Sequence, residues 1–165
     1  MSYTLLFLVT LAAQHAQMPA GMTHEEHLAQ MKKDADLKAR GARAMGFDQE
    51  KTTHHFLLTA DGGIIEVGVS EPADVANRDA IRSHLKDIGG EFARGDFTRP
   101  FATHNEVPPG VKTMQQRVGS ITFGYEDTAS GGRVVIRTAD RRARMAVHEF
   151  LRYQIREHAT GDPLS

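Results

Sequence analysis

The amino-acid sequence predicts an α+β fold: two ββα units whose four strands form one largely antiparallel sheet, with both long helices on one face. Three observations predict it. Two hairpin signals, Ala60-Asp61-Gly62-Gly63 and Ser130-Gly131-Gly132, each separate two runs suited to strands. A segment with apolar residues at helical spacing follows each hairpin. Behind each helix stands the same pair, Gly95-Asp96 and Gly161-Asp162, so the chain reads as a degenerate internal repeat over about 53–96 and 120–162.

Composition narrows the function classes. With 165 residues and 40% hydrophobic content, a single domain over 23–165 is expected, large enough to bury a core without staples. Twenty basic against 21 acidic residues leave a formal charge of -1, which gives no electrostatic reason to expect nucleic acid or an anionic membrane as partner. There is no cysteine, which excludes thiolate chemistry and disulfides; any metal site would rest on His, Met and carboxylate oxygen.

In order along the chain, residues 3–13 are almost wholly apolar and uncharged, and small residues follow at Ala12, Ala13, Ala16 and Ala20. That pattern predicts a signal peptide with its linker over 1–20, hence a secreted or periplasmic protein; the apolar run is too short to span a bilayer. Next, Thr23 and Glu26 form a capping box that starts an accessory helix over about 23–44, with Gly46 as its stop. Residues 54–59 and 64–69 are the first strand pair, and Gly62-Gly63 are expected in the turn between them. A helix over 75–93 carries Ile81, Leu85, Ile88 and Phe92 on one stripe. Residues 97–110 read as loop because of Pro100 and Pro108-Pro109-Gly110, and a short helical turn begins at Val111. Strands over 121–126 and 134–138 flank Gly131-Gly132, and the last helix covers 141–158.

That last helix breaks its own pattern. Ala143, Val147, Phe150, Leu151 and Ile155 make an apolar face, but Gln154 and His158 fall within the same arc, four residues apart. Aligned from the Gly-Asp pairs, Ile81 corresponds to Val147, Leu85 to Leu151, Ile88 to Gln154 and Phe92 to His158. Two core positions of the first unit are therefore polar in the second. Polar groups on a core-facing stripe lower stability unless they find partners, so they mark a candidate site. The alternative is that the helix outruns the sheet and leaves both in water.

Nine histidines surround that question. On the first strand His54 shares a face with Phe56 and Leu58 and would point toward Gln154 and His158, whereas His55 points to the other face. Neutral imidazoles from separate elements are the usual ligands of copper or zinc, and His54, His84, His148 and His158 are the candidate set. Gln154, His104, Arg144 and Arg152 are candidate ligand-binding residues, the arginines for an anionic group. A second soft set, Met22, His24, His27 and Met31, with Met18 before it, suits copper by type but is loosely spaced. His148-Glu149 lacks the second histidine of a zincin motif, since position 152 is Arg. The leading expectation is thus an exported domain that binds copper or zinc through histidines. An acid–base hydrolase with His158 or His148 as general base, and a non-catalytic module for haem or another small ligand, are the alternatives.

Overall fold

The computed structural model describes residues 21–165, without the side chains of 33, 34 and 37–44. The predicted signal segment and Met18 lie outside the described residues. The chain divides into two compact units, one ending at Asp34 and the other spanning Ala35–Ser165.

Helix α1 (His24–Met45) begins at the capping box: the Thr23 N–H donates to Glu26 Oε2 at 2.8 Å, and the Glu26 N–H donates back to Thr23 Oγ1 at 3.2 Å. It stops at Gly46, whose φ of 74° is left-handed, as the sequence suggests.

Four strands form the sheet, β1 (Thr52–Thr59), β2 (Gly62–Val69), β3 (Thr122–Asp127) and β4 (Gly131–Arg137), in the order β1-β2-β4-β3 with every pairing antiparallel. The α+β expectation holds. The strand order was not readable from the sequence, and it places the second strand of each unit at the centre. Register builds inward rows across all four strands: Phe56–Ile65–Val134–Tyr125 is one, and Leu58–Gly63–Ile136–Phe123 is the next.

The paired glycines correct the sequence reading. Gly62-Gly63 and Gly131-Gly132 open β2 and β4 rather than occupying the turns. Close approach is the reason: a Cβ on Gly63 would stand 2.1 Å from Leu151 Cδ1, and one on Gly131 would stand 2.2 Å from the Val67 carbonyl oxygen. Here glycine lets a helix leucine rest directly on the sheet and lets the two central strands approach.

Helices α2 (Val75–Ala93) and α5 (Arg141–Glu157) cover the inner face. Asp74 caps α2 by accepting from Asn77 N–H, and Asp140 caps α5 by accepting from the N–H groups of Arg142 and Ala143. The arrangement is crossed: α2 packs chiefly on β3 and β4, and α5 on β1 and β2. Each helix therefore covers the hairpin of the other unit, and one core holds Ile81, Leu85 and Phe92 beside Val147, Phe150 and Leu151.

Between α2 and β3 the predicted loop contains a helix, α3 (Thr98–His104), before α4 (Val111–Gln116). Pro100 is compatible with it because the N–H groups of a first helical turn have no partner within the helix. Asn105, at φ 58°, ends it. On the outer edge of the sheet Asp162 accepts from Phe56 N–H at 2.9 Å and from Thr160 Oγ1 at 2.7 Å, and it lies 2.9 Å from His55 Nδ1. The second Gly-Asp pair thus does more than stop a helix: it ties the C-terminal tail to an edge strand. Among the described residues no helix is long and apolar enough to cross a membrane.

Candidate functional site

Strand alternation turns His54 inward beside Phe56, and the apolar stripe of α2 carries His84 at its border next to Leu85. Asn105 ends α3 directly after His104, and α5 presents Gln154 and delivers His158 at its C-terminal cap. These five polar side chains line one cavity of about 70 Å³ under the helices. Its remaining walls are mainly apolar, with Phe56, Phe92 and Phe150 as the aromatic members and Met45 at one end.

The imidazoles cluster about His158. Its ring centre lies 5.9 Å from that of His54, with the planes within 7° of parallel, and 5.2 Å from that of His104, edge to face. Phe56 packs on it from below at 5.5 Å, and Phe47 lies 6.0 Å from His54 and 5.6 Å from His84. Gln154 is only 4% exposed, so the helix does not outrun the sheet. Its Oε1 lies 2.9 Å from His104 Nε2. In this group His54 Nε2 and Gln154 Nε2 have no hydrogen-bond partner among the described residues. Buried polar atoms without partners are rare, and an absent ligand, ion or water is the ordinary reason for them.

Burial also fixes the charge of these rings. It pushes His54 down to about 4, helped by neighbouring His55. It pushes His84 to about 4, with Arg99 and His54 adding to the effect and Asp87 opposing it. His158 falls to about 3, through burial first and then through His54 and His104. At neutral pH all three are neutral imidazoles, able to accept through a ring nitrogen. Among the described residues the one cation on the wall, Arg99, is already matched: its Nε donates to both Glu91 carboxylate oxygens, at 3.0 and 2.7 Å, and its Nη2 lies 3.6 Å from Asp87.

The other sequence candidates stand elsewhere. His148 does not line the cavity; its Nε2 lies 3.0 Å from the carbonyl oxygen of Thr59, beyond the far end of β1 from His54. Arg144 and Arg152 do not line it either, and Arg152 Nε donates to the Leu164 carbonyl at 2.7 Å. His24 and Met31 are exposed on α1, with Met22 and His27 half-buried. Among the described residues, no three or more His, Asp or Glu side chains are grouped as a metal ion would require.

The sequence undervalued two wall residues. His104 was readable only as a loop histidine, although the unpaired Gln154 on the facing helix was the signal that a polar partner had to exist. Met45, the last residue of α1, carries no signal of its own. Beside the cavity, the Tyr153 hydroxyl donates to Glu106 Oε1 at 2.5 Å, so two successive residues of α5 hold the end of α3 and the segment that follows it. Burial, then that carboxylate, holds the Tyr153 hydroxyl well above its usual range. No protein-family model matches the chain, no curated protein matches it, and no solved structure matches it.

Proposed function

We propose that the cavity beneath α5 is a binding site and that the chain is a non-catalytic binding module for a small ligand. One observation carries this reading: Gln154 Nε2 and His54 Nε2, both buried and unpartnered, border one cavity with mainly apolar walls. A cavity of that kind with a few convergent polar groups is the usual form of a small-molecule site. Its volume of about 70 Å³ is roughly half that of an engineered cavity that holds benzene and is far too small for a porphyrin. The ligand therefore has few heavy atoms inside the protein.

Methyl NMR tests it directly. Uncharged molecules of up to about four heavy atoms should shift the methyl signals of Ile65, Val67, Leu85 and Ile88 saturably, leaving those of Val111 and Ile121 unmoved. Absence of any saturable shift across such a set would overturn the reading.

Ring spacing favours a second reading, copper or zinc. A metal–nitrogen bond near 2 Å plus the ring's own radius places two imidazoles on one ion about 5–6 Å apart, centre to centre. The pairs His54–His158 and His104–His158 both fall there. On this reading the ions are held by His54 and His158, with His104, His84 and Met45 at hand and without His148. Calorimetric titration with copper and zinc is the test; binding weaker than millimolar, or binding indifferent to His54→Ala with His158→Ala, excludes it. Export of the chain by its first 20 residues belongs to the same proposal, and fractionation of expressing cells with N-terminal sequencing tests it.

A further inference from the structure

We infer that the ligand of this cavity is an uncharged molecule carrying an acceptor oxygen, of the ketone, aldehyde or amide class, and that Gln154 Nε2 selects it. The inference rests on the binding-site reading above and adds the chemistry.

Charge comes first. Among the described residues no carboxylate lines the cavity, so an organic cation has no counter-charge there. His54, His84 and His158 are neutral, and the guanidinium of Arg99 is taken up by Glu91 and Asp87, so an anion finds no free counter-charge among them either. Bringing a bare charge into such a space costs several kcal/mol, and an uncharged molecule avoids that.

Hydrogen-bond polarity comes next. Gln154 Oε1 faces His104 Nε2, which donates to it in the tautomer that carries the proton there. The amide nitrogen of Gln154 is consequently turned away from His104, has no partner, and carries two donors and no acceptor capacity. Only an acceptor satisfies it. His54 Nε2, the second unpartnered atom, serves either role by tautomer and places no contrary demand. Phe56, Phe92 and Phe150 with Ile65, Val67 and Ile88 provide the surface for a hydrocarbon body. The ligand's oxygen end thus lies at α5 and its apolar end toward α2 and the sheet.

Acetone and its hydrocarbon isostere isobutene separate the terms, because they differ in the acceptor and hardly in shape. Binding is read from methyl NMR shifts on the full chain and on Gln154→Met, which preserves length and removes the amide. Acetone should bind about tenfold more tightly than the isostere, the effect of one net buried hydrogen bond, and Gln154→Met should erase the difference. Equal binding of the two by the unmodified chain, or a preference that survives Gln154→Met, would overturn the inference while leaving the binding site in place. Failure of both molecules to bind would overturn the site and the inference together. The unmodified chain alone decides the matter if Gln154→Met does not fold.

Discussion

Helices α2 and α5 occupy similar places in their ββα units, each over the other unit's hairpin, yet they close the core differently. Toward its C-terminal end α2 presents Ile88 and Phe92, 8% and 1% exposed, and Phe92 stacks on Phe97 with ring centres 4.4 Å apart. At the corresponding positions α5 presents Gln154 and His158. All four side chains border the same cavity, so at these matched positions α2 supplies hydrocarbon and α5 an amide and an imidazole. An unpartnered buried donor such as Gln154 Nε2 costs roughly 1–3 kcal/mol. Two otherwise parallel helices thus show where stability was given up and at which atoms.

The largest effect that sharpens this contrast is acid lability. In the unfolded chain each histidine takes a proton near pH 6.5, whereas in the fold His54 and His84 resist until about 4 and His158 until about 3. Above pH 6.5 both states are neutral and nothing is lost. As pH falls below 6.5 the unfolded state binds protons that the folded state refuses, so stability drops until the folded values are reached. At pH 5 the loss is about 2 kcal/mol for each of the three, several kcal/mol together. Urea denaturation at pH 7, 6 and 5 measures it, and His158→Phe should remove about one-third of the slope. An unchanged slope would mean that α5 does not bury its imidazole.

Truncation of the apolar wall should come next in size. Phe92→Ala is expected to lower stability by about 3–5 kcal/mol, and His158→Ala by distinctly less, in chemical denaturation. Equal losses would erase the distinction between the helices.

The Gln154–His104 pair offers a finer test. Gln154→Leu alone should change stability little, because losing the contact to His104 Nε2 offsets the removal of the unpartnered Gln154 Nε2, each worth roughly 1–3 kcal/mol. His104→Leu added to it should raise stability by roughly 1–3 kcal/mol, since the imidazole that lost its contact is then replaced by an apolar group as well. A double-mutant cycle with no coupling would separate the two residues. A smaller change than that gain is expected at His148. Losing its contact with the Thr59 carbonyl should lower stability by about 0.5–1.5 kcal/mol and leave any copper or zinc titration unchanged.

Much of this contrast was legible before any coordinates. Helical periodicity located α2 and α5, and the mismatch of Ile88 and Phe92 with Gln154 and His158 marked the cavity wall, because a buried amide on an apolar stripe requires a partner wherever it stands. His54 followed from strand alternation with Phe56. What escaped was set by packing between segments distant in sequence. The glycine pairs look alike in a turn or on a strand, and only the approach of Leu151 and of β2 decides between them. Pro100 suggested a loop, yet at the start of a helix proline removes no bond. His148 shares its helix face with Arg144 and Arg152, and only the position of β1 shows that it meets the Thr59 carbonyl instead of the other histidines.

The central claim is that α5 places a neutral imidazole and an amide in the cavity where, at the matching positions, α2 places hydrocarbon. Ring-nitrogen NMR of the histidines across pH 7.5 to 4 tests it most directly. The account predicts that His54, His84 and His158 stay neutral through pH 5 and begin to take protons only near pH 4 or with unfolding. Titration of these three near pH 6.5 in the folded protein would place them in water and contradict it.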